Sequence, residues 1–295
     1  MPNLAPEAIS GIALDTMGAM PSRVSVCDRR GDRVQDATSK SFVTFHNVSK
    51  YYGVDYNRMH AVDNVSFDAR EGEFISILGP SGCGKSTMMM LASGLIPLSS
   101  GEIRIAGQKV DRPYTDLGMV FQQDLLMEWR RVLSNVLVQA EFRGWNARDH
   151  EARARELLNL VGLKGFEQKY PYELSGGMRQ RVSICRALVH DPSLLLMDEP
   201  FGALDALTRD QLNLDLQRIW QGNKKTVLFV THSIAEAVFL GDRVFVMGPR
   251  PTKIVEVVDI DLERPRKLEI RETTEFTSYV KRILDLFYKM GILRS

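Results

Sequence analysis

The sequence predicts an α/β fold, a mostly parallel sheet flanked by helices, and three observations carry that reading. Short apolar runs, "FISIL", "SLLLM" and "VLFVT", recur far apart in the chain and read as buried strands. Stretches with helical spacing separate them. In "ARDHEARARELLNLVGL", Ala154, Leu157, Leu158 and Val161 recur on one helical face. The third observation is how these runs end: "FISIL" runs straight into the glycine-rich "GPSGCGKST", and "SLLLM" into Asp198 and Glu199. In open α/β sheets, ligands sit beyond the carboxyl ends of the strands.

The elements follow in order. Residues 1–40 are punctuated by Pro2, Pro6 and Pro21 and include the polar "CDRRGDRVQDATSK", so they read as a mobile N-terminal extension. The folded part begins near Phe42. "FVTFHNVSKYY" and "HAVDNVSFDA" alternate like strands, and "GEFISILG" is a short apolar strand ending in glycine. A helix is expected from Lys85 to about Leu95. The stretch from about Gln123 to Tyr172 reads as helical, and another helix follows Ser175. "SLLLMDEP" and "KTVLFVTH" are buried strands, and "DRVFVMG" and "KIVEVVDI" are further strand candidates. Near the end, Phe276, Val280, Leu284 and Phe287 line one face of a helix. No internal repeat is found, so the chain carries one catalytic unit.

Composition excludes some function classes. The 295 residues hold 38 Lys and Arg against 37 Asp and Glu, so charge gives no argument for nucleic acid as a partner. Cys27, Cys83 and Cys185 lie too far apart for a metal site or a disulfide framework, which suits a reducing compartment. No apolar run approaches the roughly 18–20 residues that span a bilayer. The N-terminus has no basic start followed by an apolar core, and Asp15 interrupts its one apolar candidate, so no secretory signal is read. The expectation is a soluble intracellular protein, able to dock on a membrane protein.

Gly79, Gly84, Lys85 and Ser86 satisfy G-x-x-x-x-G-K-[ST]. Over Gly79, Pro80, Ser81, Gly82, Cys83, Gly84, Lys85, Ser86 and Thr87, the glycines allow a tight turn whose N–H groups point inward at phosphate oxygens. The helix beginning there adds its positive end. Lys85 brings a charge to the β- and γ-phosphates, and Ser86 offers a hydroxyl to Mg²⁺. Cys83 fills the turn and carries no chemistry of its own. This loop is built for a triphosphate. Asp198, at a strand end, can hold Mg²⁺. Glu199, one residue further, is placed to polarise a water attacking the γ-phosphate. The alternative for this pair is a helix-capping acidic pair before a turn. His232 follows "VLFVT" in the same way and could contact the γ-phosphate.

"LSGGMRQR", Leu174–Arg181, is a second glycine cluster, where Ser175, Gly176 and Gly177 open a helix. It resembles the signature motif of the ATP-binding cassette ATPases. With the phosphate loop and "LLLMDEP" at suitable separations, the resemblance covers about Phe42 to Val258. It implies a phosphate-loop NTPase core with an antiparallel β subdomain and a helical subdomain at about 123–173. The cassette domain then spans 41–258, and residues 259–295 form a short C-terminal helical extension. The resemblance also implies ATP and Mg²⁺ as ligands, and a head-to-tail dimer in which one subunit's signature caps the nucleotide on the other's phosphate loop.

Further roles carry over by resemblance. Tyr52 in "SKYYG" matches the aromatic that stacks on adenine, with Tyr51 and Tyr56 as less favoured choices and a packed strand tyrosine as the other reading. Gln122 in "GMVFQQ" matches the glutamine that reaches Mg²⁺ and the attacking water. Asp205 in "GALD" matches the aspartate that communicates across the dimer, and His232 matches the switch histidine. Two positions depart from the pattern: Met178 stands where the signature usually has glutamine, and Gly202 where serine is frequent. Neither removes a phosphate ligand or a base; both bear on hydrogen bonding across the dimer.

"EPFGALDALTR" and "QQDLLMEWRRVLSNV" resemble importers of the nitrate, sulfonate and taurine group. That resemblance implies a peripheral ATPase on the cytoplasmic face of the inner membrane. Its partners would be a second ATPase subunit, transmembrane permease subunits and, indirectly, an external solute-binding protein. A cassette ATPase of translation or DNA repair, an importer of another substrate class, and a phosphate-loop small-molecule kinase are the rival readings. Leu125, Leu126, Met127 and Trp129 beside Arg130 and Arg131 are expected to form the permease-docking surface, or else the core of the helical lobe.

Overall fold

Strand patterning divides the chain between two sheets. The computed structural model describes residues 41–53 and 58–293, the side chain of Asn223 excepted. The extension expected over residues 1–40, and Tyr56, lie outside the described residues. β1 (Ser41–Tyr52), β2 (Met59–Arg70), β4 (Ser100–Ile105) and β5 (Gln108–Lys109) make an antiparallel sheet in the order β2-β1-β4-β5. Val43 pairs with Ile105 and Phe45 with Ile103. These residues are buried, while Thr44 and Arg104 between them face outward, as expected for a sheet covered on one side.

The second sheet holds β3 (Phe74–Leu78), β6 (Leu117–Val120), β7 (Leu194–Asp198), β8 (Thr226–Thr231), β9 (Arg243–Met247) and β10 (Ile254–Asp259). Its order is β10-β9-β3-β8-β7-β6, and every pair is parallel except β10 on β9. The central strands are almost wholly apolar, Ser76 and the terminal Thr226 and Thr231 excepted, because both faces are buried. Ile75, Ile77, Leu228 and Val230 face one core, shared with α1 (Lys85–Ala92) and the antiparallel sheet. Phe74, Leu78, Val227 and Phe229 face a second core. That core is covered by α2 (Val132–Phe142), α3 (Ala147–Leu160), α4 (Gly176–Leu188), α5 (Ala206–Asn223), α6 (Ile234–Leu240) and α7 (Thr274–Lys289).

The structure departs from sequence expectation in several places. α1 ends at Ala92 rather than Leu95, because the chain turns at Ser93, whose hydroxyl bonds back to the Met90 carbonyl. Within the stretch 123–172, expected to be helical, residues 123–131 and 161–170 are irregular. In 123–131 the polar backbone bonds to side chains instead: Met127 N–H donates to Asn135 Oδ1 at 2.8 Å, and Asn135 Nδ2 donates to the Met127 and Arg130 carbonyls. In α7 the buried stripe is Phe276, Ile283 and Phe287, with Val280 and Leu284 half-buried. α7 thus belongs to the main core. Among the described residues, no helix is long and apolar enough to cross a membrane.

One cation secures the chain between β10 and α7. Arg266 is 2% exposed. Its Nη1 donates to the carbonyls of Val238, Phe239 and Gly241 at 2.8–2.9 Å, covering the open end of α6. Nη2 and Nε reach the carbonyls of Ile260 and Leu262. Burial, with Arg264 close by, pushes its pKa down to about 9, which leaves it charged at neutral pH. Removing the guanidinium strands several buried carbonyls. Arg266→Ala is therefore expected to lower unfolding free energy by about 3 kcal/mol. An equilibrium urea titration should show a lower midpoint with an unchanged slope.

Candidate functional site

Four adjacent parallel strands end along one edge of the larger sheet. Leu78 at the end of β3 is registered with Thr231 of β8, Val230 with Asp198 of β7, and Met197 with Val120 of β6. The residues just past these ends are Gly79, His232, Glu199 and the Phe121–Gln122 pair. The sheet register therefore delivers four separate sequence segments to one place.

The loop Gly79–Thr87 leaves β3 and feeds α1. Gly84, at the helix start, takes φ 128°, a conformation that L side chains rarely adopt. Lys85 is 4% exposed. Its Nζ donates to the carbonyls of Gly79 and Pro80 at 2.9 Å and stands 3.4 Å from Glu199 Oε1. The other Glu199 oxygen lies 3.1 Å from His232 Nδ1. Glu199 itself sits at φ 45°, left-handed for a residue with a Cβ, and its N–H donates to the Val230 carbonyl at 3.0 Å. Such a conformation costs on the order of 1 kcal/mol and persists only where the surroundings impose it.

Asp198 closes the last turn of β7. Burial pushes its carboxyl above the ordinary carboxylate range, against a hydrogen bond from Ser86; Glu199 adds repulsion and Lys85 attraction. Its Oδ1 is buried without a hydrogen-bond partner. An orphaned carboxylate oxygen beside a serine hydroxyl is a donor set that fits a hard divalent cation such as Mg²⁺. Gln122 joins the group through Gly202. A Cβ on that glycine would lie 3.3 Å from Gln122 Nε2, 3.5 Å from the Glu199 carbonyl oxygen and 3.7 Å from His232 Cε1. The position where serine is frequent in the family is thus a tight spot inside the site.

Tyr52 ends β1 with its hydroxyl 3.4 Å from the Thr87 hydroxyl. Tyr51 instead stacks on His60, ring centroids 4.0 Å apart, with Arg58 over its ring. Of the two, only Tyr52 contacts the phosphate loop.

Ser175, Gly176, Gly177 and Asp205 form a second group. Ser175 caps α4, its hydroxyl accepting from Met178 N–H at 3.3 Å, and Asp205 caps α5, accepting from Thr208 N–H at 3.0 Å. That Thr208 bonding holds the Asp205 carboxyl below its ordinary range. Gly177 is needed for close approach: a Cβ there would stand 2.4 Å from Thr208 Cγ2. Thr208 therefore links the signature glycine to the cap aspartate. Among the described residues, no hydrogen bond or ion pair joins this group to the phosphate loop.

Arg179 and Gln180 lie within "LSGGMRQR" but carried no role in the sequence reading, and Arg186 lies outside the motifs; these three hold the two groups in place. Arg179 pairs with Asp124 at 3.0 Å, Arg186 donates to the carbonyls of Asp124 and Leu125, and Gln180 Nε2 donates to the Phe121 carbonyl. α4 thereby grips the segment that carries Gln122. The available signal was two arginines seven apart, on one face of a predicted helix. Between that segment and α4 lies a cleft of about 780 Å³, lined by Gln122, Leu125, Glu128, Tyr172, Gly176 and Leu204 among others.

Adjacent strand ends around one loop of inward backbone donors make up a nucleotide-binding protein of the phosphate-loop class. Comparison with known proteins narrows that class. A family model described as ABC transporter matches residues 62–202. An ABC transporter ATP-binding protein of Methanocaldococcus jannaschii is 48% identical over 249 residues, covering 84% of this chain and 92% of that one. A taurine import ATP-binding protein of Rhizobium johnstonii is 51% identical over 74% of this chain and 84% of its own length. An aliphatic sulfonates import ATP-binding protein of Bacillus cereus is 38% identical over 86% and 98%. Among solved structures, a dimeric ATP-binding cassette in a post-hydrolysis state with ADP and Pi is similar, with TM-score 0.66 and 33% identity over 75% of this chain and all of that one. The chain belongs to the ABC transporter family and is an ATP-binding, ATP-hydrolysing cassette.

The raised Asp198 pKa has a consequence for stability. The folded state disfavours the ionised carboxylate, so Asp198 costs stability above its folded pKa, and that cost vanishes as pH falls to the ordinary carboxylate range. In the absence of nucleotide and divalent metal, Asp198→Asn should raise stability at neutral pH by about 1 kcal/mol or less, since the site is partly open to solvent. Melting curves at several pH values check this: the gap between variant and wild type should close as pH is lowered.

Proposed function

We propose that the chain is the ATPase subunit of an importer for a small anion or organic solute of the nitrate, sulfonate or taurine kind. It works at the cytoplasmic face of the inner membrane, beneath a separate permease served by an external solute-binding protein. The names of the taurine and sulfonate import relatives support the solute class. The dimeric solved relative supports a two-copy assembly in which Ser175, Gly176 and Gly177 of one copy cap the nucleotide on the phosphate loop of the other. Leu207, two residues past Asp205, is 83% exposed and would offer such an interface an apolar side chain.

Glu199 is the observation that carries the mechanism. Its carboxylate is held between Lys85 and His232, at a strained backbone position on the strand-end edge. In the proposed scheme Tyr52 stacks on adenine, and Gly79–Thr87 with Lys85 neutralise the phosphates. Ser86, Asp198 and Gln122 are the residues that would hold Mg²⁺, which when bound supplies charge neutralisation at the phosphates. Glu199 accepts the proton of the attacking water, and His232 holds Glu199 in place through Nδ1. Asp205 links the two copies. Glu199→Gln keeps the shape of the side chain but loses the proton acceptor. Its turnover should fall by at least 100-fold while ATP affinity stays within a few-fold. Turnover near wild type would remove Glu199 from this role.

In this proposal the permease docks at the cleft beside Gln122. Leu125 and Trp129 are 52% and 76% exposed, while Leu126 is buried and Met127 half-buried, which favours docking over a core role for the outward pair. A permease segment seated there would act on Gln122 directly. Trp129→Ala should lower co-purification with the permease and reduce solute uptake several-fold, while basal ATPase of the isolated subunit stays within about twofold. Intact uptake and co-purification would place the permease elsewhere.

A further inference from the structure

β9 flanks β3 on the side opposite β8 and runs parallel to it, with Leu78 registered on Val246. Its carboxyl end therefore emerges at the same edge as the phosphate loop. The turn that follows, residues 248–253, belongs to none of the sequence motifs, yet with the end of β9 it supports the loop from outside at three points. A Cβ on Gly79 would stand 2.8 Å from Met247 Cβ, and one on Gly84 would stand 3.1 Å from Thr252 Cγ2. Between them, Arg250 Nη2 donates to the Gly82 carbonyl at 2.6 Å.

The support is itself anchored. Thr252 is fully buried, its N–H donates to the Ala61 carbonyl, and its own carbonyl accepts from Asp63 N–H, both at 3.0 Å. The Arg250 guanidinium is also steered by Met59 Sδ, 3.0 Å from Nη1. Arg250 thus reaches the loop from a fixed base, oriented by two partners.

Peptide geometry gives this contact its meaning. The 82–83 peptide is trans, so its carbonyl and its N–H point in opposite directions. With the carbonyl drawn outward to Arg250, the Cys83 N–H faces into the loop. There it donates to the Pro80 carbonyl at 3.4 Å, long for such a bond, and that oxygen also accepts from Lys85 Nζ at 2.9 Å. A bond this long leaves the N–H free to turn to a stronger acceptor such as phosphate. Gly82 is the loop's freest residue: it is exposed, has φ 71°, and a Cβ there would meet nothing within 4 Å. Without an outside hold, this peptide can rotate and turn its oxygen, rather than its N–H, toward an anion.

We propose that Arg250 is a positioning residue for nucleotide binding: by holding the Gly82 carbonyl outward, it keeps the Cys83 N–H aimed at bound phosphate. Its contact is with the loop backbone, through the Gly82 carbonyl. The inference rests on Gly79–Thr87 being the phosphate loop. The test compares Arg250→Ala, Arg250→Lys and Lys85→Ala in the full chain, reading ATP affinity, KM, kcat and melting temperature. Arg250→Ala should raise Kd and KM for ATP about tenfold, the weight of one charge-assisted hydrogen bond, with kcat within about twofold. The melting temperature should barely change, because the side chain is exposed. Arg250→Lys, which can still donate to the carbonyl, should recover most of the affinity. The proposal is overturned if Arg250→Ala leaves KM unchanged while Lys85→Ala weakens binding. It is equally overturned if lysine is no better than alanine, or if affinity falls only in step with thermal stability. If Lys85→Ala also leaves affinity unchanged, the phosphate-loop reading fails and takes the proposal with it.

Discussion

Burial of the parallel sheet on both faces is the constraint from which the site follows. β3, β7 and β8 give every other side chain to one core and the rest to the other. Between their ends the one polar side chain is Ser76, whose buried Oγ has no hydrogen-bond partner; an uncharged hydroxyl bears that at far lower cost than a carboxylate would. The charged chemistry therefore stands at the strand ends. The register of the sheet fixes how those ends stand beside one another. A one-residue slip in β7 would exchange its two buried faces and shift Asp198 and Glu199 by about 3.3 Å. The packing of Leu194–Met197 thus sets the position of two carboxylates that take no part in that packing.

α4 supplies a second frame, across the sheet from the phosphate loop's own helix. Its first turn begins with the signature glycines, and Gly177 lies tight against Thr208 at the start of α5. Further along, Arg179, Gln180 and Arg186 hold the irregular stretch that carries Gln122. One rigid helix therefore bears on the second glycine cluster, on the cap of α5 and on the segment beside the reaction centre. A displacement of α4 reaches all three together, because a helix's internal hydrogen-bond ladder is stiffer than its contacts with neighbours and it moves as a unit.

Much of this was legible in the sequence. The phosphate loop, the Asp198–Glu199 pair and His232 stand directly after apolar runs, and both local spacing and the apolar–polar boundary are visible in one dimension. The helix start at Ser175 and the strands from Leu194, Thr226 and Arg243 were readable for the same reason. The irregular path of residues 123–131 was not. Its composition suits a helix, and it is held open by Asn135 and Arg186, which reach its backbone from elsewhere in the chain. The buried stripe of α7 also shifted, with Ile283 rather than Leu284 turned fully inward, because the surface it meets is set by α6, against which it packs.

The sequence by itself determined which residue types could bind phosphate and polarise water, and in what local backbone setting. A G-x-x-x-x-G-K-S run dictates a turn of inward N–H groups wherever it is placed. Only the tertiary structure decided which groups meet. It set Glu199 between Lys85 and His232, Gln122 beside Gly202, and Tyr52 rather than Tyr51 against Thr87. It also decided that Arg250, 168 residues away in the chain, holds the Gly82 carbonyl. Backbone conformation follows from neighbours in sequence. A contact between distant side chains follows from how buried faces pack, and the chain records that packing only as the sum of all its apolar residues.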